Sequence, residues 1–331
     1  MARAVLLERL GGPEVLELRD VDLGEPGPGE VRISVDAIGL NRAEAWFRAG
    51  MYYVQPSFPE ARIGYEAAGA VQAVGPSVEG LKTGDAVSTV PGFHLSDYGV
   101  YGDATVVPAA SVLHRPDTVD TITGASLWLS YLTGYGALAE VCGVRPGDTV
   151  VVTAASSSVG LAAIQIANRL GAVPIATTRT RAKKQRLLDA GAAHVVVTEE
   201  DDLLARVQEL TGGHGAEVAF DAVGGPGMNE LARAVAPGGT LLSYGFQNGF
   251  PDFLPFPAFP YDLNIRIYSV LGLARDQERL RRAERFIHAG LRSGALAPVI
   301  DRVFDLTDIV EAHHHLESDT QFGKIIVTTA H

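Results

Sequence analysis

Residues Thr153 to Gly160 read TAASSSVG. They follow an apolar, β-branched run, TVVV, and lead into a helical one, VGLAAIQIANRLGA. A strand that turns tightly into a helix leaves free backbone N–H groups and the positive end of the helix dipole at the turn. That arrangement holds anions, and a pyrophosphate is a common one. The usual dinucleotide loop uses three glycines, for the turn, the approach to phosphate and the packing of helix on strand. Setting Gly160 as the third puts Ala155 first and Ser157 second. Two of the three glycines are therefore missing, and a serine-rich turn is also a plain helix cap. Context favours a nucleotide loop of Ala155, Ser156, Ser157, Ser158, Val159 and Gly160, with serine hydroxyls as added phosphate donors.

About twenty residues past such a loop, an NAD site carries an acid for the ribose 2′-hydroxyl. Here the stretch is Thr177 to Lys184, TTRTRAKK, with no acid and four cations. A carboxylate repels a 2′-phosphate, whereas Arg179 and Lys183 attract it and Thr178 and Thr180 can donate to it. The expected cofactor is NADPH. A solvated basic first turn of a helix is the alternative.

The elements around these residues alternate. VPIATT, HVVVT, EVAFDAVGG, TLLSYG and NIRIYSVLG read as strands, and RAKKQRLLDAG, DLLARVQELTGG and MNELARAVAPGG as helices between them. That is a doubly wound parallel sheet. Before residue 120 the chain reads as short strands, VLELRDVDL, EVRISVDAIG, EAAGAVQAVG and DAVSTV, divided by Gly/Pro/Asp turns, which suggests a small barrel or sandwich. GASLWLSYLTGYGALAEV reads as a helix between the two patterns. The last fifty-odd residues give a helix, a strand, a helix and a strand whose sheet the spacing alone does not assign.

The chain has 331 residues, 47% of them hydrophobic and 20% charged, enough for two globular domains. Its net charge of −12 argues against nucleic acid and anionic membranes as partners. One cysteine, Cys142, excludes an internal disulfide and suits a reducing cytoplasm. The N-terminus lacks the apolar core of a signal peptide, and no apolar run reaches membrane-spanning length.

Phrases across the whole chain resemble the medium-chain dehydrogenase/reductase superfamily, in particular its zinc-free, zeta-crystallin-like quinone oxidoreductases. They are GEPGPGEVRISVDAIGLNRAEAWFRAGMYY, GYEAAGAVQAVG, GLKTGDAV, YLTGYGAL, FDAVGG, GGTLLSYG and GKIIV. The resemblance implies a fold of α/β class. A GroES-like β-barrel catalytic domain over residues 1–120 is completed by residues 274–331. A Rossmann cofactor domain over 121–273 lies between them in sequence.

Zinc-dependent relatives supply three catalytic ligands, and the matching positions here are Asn41, Tyr65 and Leu129. None has a thiolate, imidazole or carboxylate. Ala43 stands where those relatives keep a proton-relay hydroxyl, and only Glu66 remains beside a lost ligand. His94 and His114 are isolated. His313, His314 and His315 are adjacent on a helix, do not face one ion together, and are expected on a solvated face. No metal is expected.

Without a metal, a reductase needs an acceptor already willing to take hydride, such as a quinone or an α,β-unsaturated carbonyl. The resemblance places Asn41, Tyr52, Tyr65 and Thr133 at the reacting centre. Asn41 would bond the substrate oxygen or the nicotinamide ribose, or else stabilise a turn. Tyr52 would donate to an oxyanion or stack on a ring. Tyr65 either polarises the substrate with its phenol or packs into the vacated metal space; both fit. Thr133 would pack against the nicotinamide. Arg42, Asp221, Val223, Gly245, Phe246, Leu271 and Lys324 match further cofactor contacts, with Leu271 ending the sixth strand and Lys324 near phosphate or ribose. Thr198 stands where members often place a tyrosine at the adenine ribose. Relatives pair the NIRIYSVLG strand across a homodimer. An NADP-dependent alcohol dehydrogenase or aldehyde reductase, or an NADPH-binding redox sensor without turnover, are the competing readings.

Overall fold

The computed structural model describes residues 1–250 and 262–329. In chain order the first segment holds β1 (Ala2–Leu7), β2 (Leu16–Val21), β3 (Glu30–Gly39), α1 (Arg42–Arg48), β4 (Glu66–Val74), β5 (Ala86–Thr89), β6 (Ala104–Pro108) and β7 (Val112–His114). Helix α2 (Thr121–Tyr135) follows and continues as a π-helical stretch, Gly136–Val141. Next come β8 (Thr149–Val152), α3 (Ser158–Arg169), β9 (Val173–Thr178), α4 (Lys184–Asp189), β10 (His194–Val197), α5 (Leu203–Leu210), β11 (Ala216–Asp221), α6 (Met228–Ala234), β12 (Val235–Ser243) and β13 (Asn264–Ile267). The chain ends with α7 (Leu271–Arg275), α8 (Gln277–Ser293), β14 (Ile300–Asp305), α9 (Ile309–Glu317) and β15 (Lys324–Thr328).

Two compact units emerge. One comprises residues 1–129, 271–281 and 298–331, the other 130–270 and 282–297. The boundaries differ from the sequence expectation of 121 and 274: the first falls inside α2, and residues 282–297, expected in the returning segment, group with the second unit because the chain crosses between units inside α8, where composition gives no signal.

In the first unit a seven-stranded sheet runs β14-β15-β3-β4-β5-β7, with β6 also on β3. All pairs are antiparallel except β14 with β15. The C-terminal strand thus joins the sheet of the N-terminal segment through β15 on β3. Strand β3 is the hub. Val31, Ile33, Val35 and Ala37 alternate inward and are buried, as period two demands.

In the second unit six strands lie in the order β10-β9-β8-β11-β12-β13, all parallel. In sheet order this is 3-2-1-4-5-6, with its switch point between β8 and β11. The core is aliphatic, with Val151, Ile175, Val196, Ala219 and Leu241 from five strands under Val207 and Leu231. Strand β12 begins at Val235, earlier than the sequence suggests, so the Ala236–Gly239 stretch expected to end a helix is strand. Strand β13 is shorter than expected and ends at Ile267; Leu271 instead opens helix α7. Leu271 belongs to the first unit, which removes it from the end of the parallel sheet.

Candidate active site

Each unit gathers its own set of the expected residues. In the second, the nucleotide loop joins β8 to α3. Ala154 takes the left-handed turn conformation, φ +45°, one residue before the expected first-glycine position. Gly160 is needed where it stands. A Cβ there would lie 2.6 Å from the Ala154 carbonyl oxygen and from Ala155 Cα. The third glycine of the motif is therefore kept for helix–strand contact, and the others are replaced without loss of the turn. Ser157 caps α3: its Oγ accepts the Gly160 N–H at 3.0 Å. The serine side chain takes a helix-capping bond that a glycine cannot make.

Lys183 reaches back to this loop and donates to Ser156 Oγ at 3.0 Å. Two segments read separately in the sequence thus meet as one polar surface at the ends of β8 and β9. Thr178 Oγ1 donates to the Thr180 carbonyl at 3.3 Å, which folds the β9 end over itself. Arg179 and Thr180 are exposed there. Arg181, a third cation of the window, is paired with Glu200 at 2.5 Å. The acid missing from the TTRTRAKK window is supplied from the β10 end, and it neutralises the one arginine not assigned to phosphate. This residue was not legible in the window because it lies nineteen positions on.

Asp221, at the end of β11, is buried and orders this rim of the sheet. Its Oδ1 accepts Thr153 Oγ1 at 2.6 Å and the Val223 N–H at 3.1 Å, and its Oδ2 accepts the Gly224 N–H at 2.9 Å. The carboxylate holds the nucleotide loop and the β11 loop together. The β12 loop joins through Gln247 N–H to the Ala222 carbonyl and Asn248 N–H to the Val223 carbonyl. Ser243 Oγ bonds the Gly245 carbonyl at 3.2 Å, and Phe246 packs on Phe250 with centroids 5.1 Å apart. Thr133, on α2, is buried in the same unit.

In the first unit three strand ends converge. Asn41 follows β3, Glu66 opens β4 opposite Gly39, and Lys324 opens β15. Lys324 is 1% exposed, and its Nζ donates to Glu66 Oε2 at 2.5 Å and Asn41 Oδ1 at 2.6 Å. Glu66 Oε1 accepts the Leu129 N–H at 3.1 Å. The expected role of Lys324 on phosphate or ribose is corrected here: the ammonium is buried and committed to a carboxylate and an amide.

Asn41 is also recast. It caps α1, and its backbone N–H donates to Glu44, closing a capping box. Both Nδ2 hydrogens are used, on the Gly39 carbonyl at 3.0 Å and Glu44 Oε1 at 3.2 Å. Asn41 thus retains acceptor capacity only, which corrects its assignment as a donor to a substrate oxygen. Arg42, expected on pyrophosphate, donates to the Leu316 carbonyl at 2.8 Å and pairs with Asp319.

Glu44, which the sequence reading passed over, is the hub of this cluster. Fully buried, it accepts the Tyr65 N–H at 3.2 Å besides the two bonds from Asn41. Burial raises its pKa to about 7, against the opposing pull of Lys324 and those hydrogen bonds.

Tyr65 is 1% exposed, with Phe93 at a centroid distance of 5.8 Å. Its hydroxyl lies beside that of Tyr52, and burial pushes both phenols above their ordinary range. Both are therefore protonated donors across neutral pH.

His313 overturns the expectation of a solvated triplet. It is fully buried, its Nε2 3.3 Å from Tyr101 Oη, and burial lowers its pKa to about 3. The reason is helical: Ile309, Ala312, His313 and Leu316 form the buried stripe of α9, at spacings of three and four. His315 bonds Asp301 at 2.7 Å, and His314 faces Glu14. Among the described residues no group of three or more His, Cys, Asp or Glu side chains is placed to hold a metal ion.

A GroES-like unit with a Rossmann unit in one chain is the build of a pyridine-nucleotide dehydrogenase or reductase. Residues 27–117 match the alcohol dehydrogenase GroES-like domain family, and residues 158–289 the zinc-binding dehydrogenase family. A quinone oxidoreductase from Pseudomonas aeruginosa is 36% identical, over 99% of each chain. A 2-haloacrylate reductase from a Burkholderia species is 28% identical, again over 99% of each. The crystal structure of an Escherichia coli quinone oxidoreductase complexed with NADPH superposes with a TM-score of 0.92 at 29% identity, covering 99% of this chain and all of that one. The chain belongs to the medium-chain dehydrogenase/reductase superfamily, in its zeta-crystallin-like quinone oxidoreductase branch.

Proposed function

We propose that the protein is a zinc-independent reductase that moves hydride from NADPH to a quinone or an α,β-unsaturated carbonyl. The observation that carries this reading is the full-length similarity to quinone oxidoreductases, joined to a site where the Tyr52 and Tyr65 hydroxyls lie together, one of them at the position of a lost metal ligand. When bound, NADPH supplies the hydride. Ser156, Lys183, Arg179, Thr178 and Thr180 would hold the 2′-phosphate. The N–H groups of Ser158 and Val159, at the start of α3, would take the pyrophosphate over the turn that Gly160 keeps open. Asp221 fixes the loops carrying Val223, Gly245 and Phe246 at the rim. In the other unit, Tyr65 or Tyr52 would hydrogen-bond the acceptor oxygen and supply the proton that its reduced form takes up. Glu44 holds Asn41 and Tyr65 in register. Thr133 would pack on the nicotinamide.

The quinone and haloacrylate relatives support an activated acceptor of either kind. The test is NADPH oxidation with a panel of quinones and enones, together with metal analysis of the purified protein. Turnover only with alcohols and NADP⁺, or one tightly held zinc per chain, contradicts the proposal. Tight NADPH binding without turnover favours a redox sensor.

A homodimer fits the same reading. Strand β13 is the edge of the parallel sheet, and Ile265 and Ile267 on it are exposed. Bare apolar edges tend to be paired, here with a second copy of the chain. Ile267→Lys should lower the mass in sedimentation. A reducing cytoplasmic setting agrees with the single, partly buried Cys142. Among the described residues no helix is long and apolar enough to cross a membrane.

A further inference from the structure

The proposed function puts the acceptor's ring at Tyr65, and the structure also shapes the surface that leads away from it. Tyr65 is 1% exposed and lies beside Tyr52, which is half-buried. The Tyr52 ring in turn packs against Tyr53, centroids 4.5 Å apart, and Tyr53 is 65% exposed. A continuous aromatic path thus climbs from the buried phenol to the surface within one unit.

The path ends among apolar side chains that a monomer has no folding reason to leave bare. Met51 is 65% exposed, and Leu10 is 44% exposed and lies over Gly50, where a Cβ would come 2.7 Å from Leu10 Cδ1. The turn that carries them is fixed rather than loose. Gln55 Nε2 donates to the Tyr52 carbonyl at 2.6 Å and the Gly50 carbonyl at 3.3 Å, and Met51 N–H donates to the Trp46 carbonyl at 2.8 Å. Single exposed hydrophobes need no explanation, but a contiguous group held in place marks a binding surface.

We infer that Leu10, Met51 and Tyr53 form a subsite for a hydrocarbon substituent on the acceptor, so that the preferred quinones or enones carry an alkyl or prenyl tail. The inference rests on the proposed placement of the reacting ring at Tyr65 and Tyr52. With the ring there, a tail of several carbons follows the Tyr52–Tyr53 edge and covers Met51 and Leu10. The apolar area of the subsite supplies affinity without directional bonds.

The test compares methyl-1,4-benzoquinone with a decyl-substituted benzoquinone in NADPH oxidation, for the natural chain and for Leu10→Ser/Met51→Ser. Met51 is 65% exposed and Leu10 44%, so the thermal midpoint should fall by only a few degrees. Burial of that much apolar surface predicts that kcat/KM for the decyl quinone falls about tenfold in the variant while the methyl quinone is unaffected. Equal losses for both quinones, or no loss for either, overturn the subsite. A drop in sedimentation mass would overturn it too, by making the face an interface between copies. Calorimetric binding of the decyl quinone separates this inference from the proposed activity. Binding that the variant weakens, without turnover in either chain, supports the subsite and contradicts the reductase. No binding to the natural chain overturns the subsite whatever the turnover.

Discussion

The ammonium of Lys183 donates to Ser156 Oγ across 3.0 Å, tying the end of β9 to the nucleotide loop after β8. The bond places a cation where a 2′-phosphate would arrive beside the exposed Arg179. Replacing Arg179 and Lys183 together by Ala should weaken NADPH binding by about 3–6 kcal/mol at most, the worth of two charge-assisted hydrogen bonds. NADH affinity should change little, because NADH has no phosphate there. Fluorescence titration with both cofactors checks this. Equal weakening of the two would show that the lysine only shapes the loop.

Glu44 makes stability depend on pH in a direction opposite to an ordinary paired carboxylate. Its pKa is raised to about 7 because burial opposes charge. A group whose folded-state pKa is raised stabilises the fold fully below its unfolded pKa, about 4.5 here, and loses that contribution as pH climbs through 7. The loss is of order 3 kcal/mol. Urea midpoints of the natural chain and Glu44→Gln, measured from pH 4.5 to 8, should diverge with rising pH, the natural chain falling relative to the variant. The amide also leaves Asn41 or Tyr65 facing a donor, a constant cost that shifts the variant's curve without tilting it. Parallel curves would mean that Glu44 ionises as freely as a surface acid.

His313 acts in the other direction. Burial, with help from the Arg48 and Arg42 charges, lowers its pKa to about 3. Its contribution is present above about 6.5 and drains away as pH falls from there toward 3, at about 1.4 kcal/mol per pH unit. His313→Phe should therefore unfold at lower pH than the natural chain. Acid titration followed by tryptophan fluorescence gives the midpoint, and an unchanged one would place the proton elsewhere.

The sequence carried the sheet frameworks more faithfully than the side-chain roles. Alternation in EVRISVDAIG and EAAGAVQAVG marks β3 and β4 to within a residue, because one face of each strand is core. The β-branched runs around the loop mark β8, β9 and β10 for a different reason: these parallel strands are buried on both faces, so the run is continuous. β6 and β7 escaped because strands of five and three residues hold too little pattern. His313 was legible after all, since 309, 312, 313 and 316 form a helical stripe, but a polar triplet obscures it. The Lys324–Glu66 pair was not legible. Its members are 258 residues apart and meet only because β4 and β15 flank β3. The occupied donors of Asn41 follow from the same convergence, so a motif match placed the residue but not its hydrogen bonds.

That convergence sets the last expectation. Lys324 and Glu66 are both buried, and each charge is tolerated only because the other is present. Lys324→Met leaves Glu66 charged in an apolar setting and should cost about 3–5 kcal/mol of stability. Lys324→Met with Glu66→Gln removes both charges and keeps an acceptor for the Leu129 N–H, so most of that loss should return. Gly39 fixes the geometry on which the pair depends. A Cβ there would stand 2.0 Å from the Ala125 carbonyl oxygen and 2.7 Å from Lys324 Cε. Gly39→Ala should therefore destabilise the fold with the pair intact. Urea unfolding of the two single variants and the double one closes a mutant cycle. Additive losses would show that the two charges do not depend on each other, whereas recovery in the double variant identifies the pair as the element that holds the ends of β4 and β15 beside Asn41.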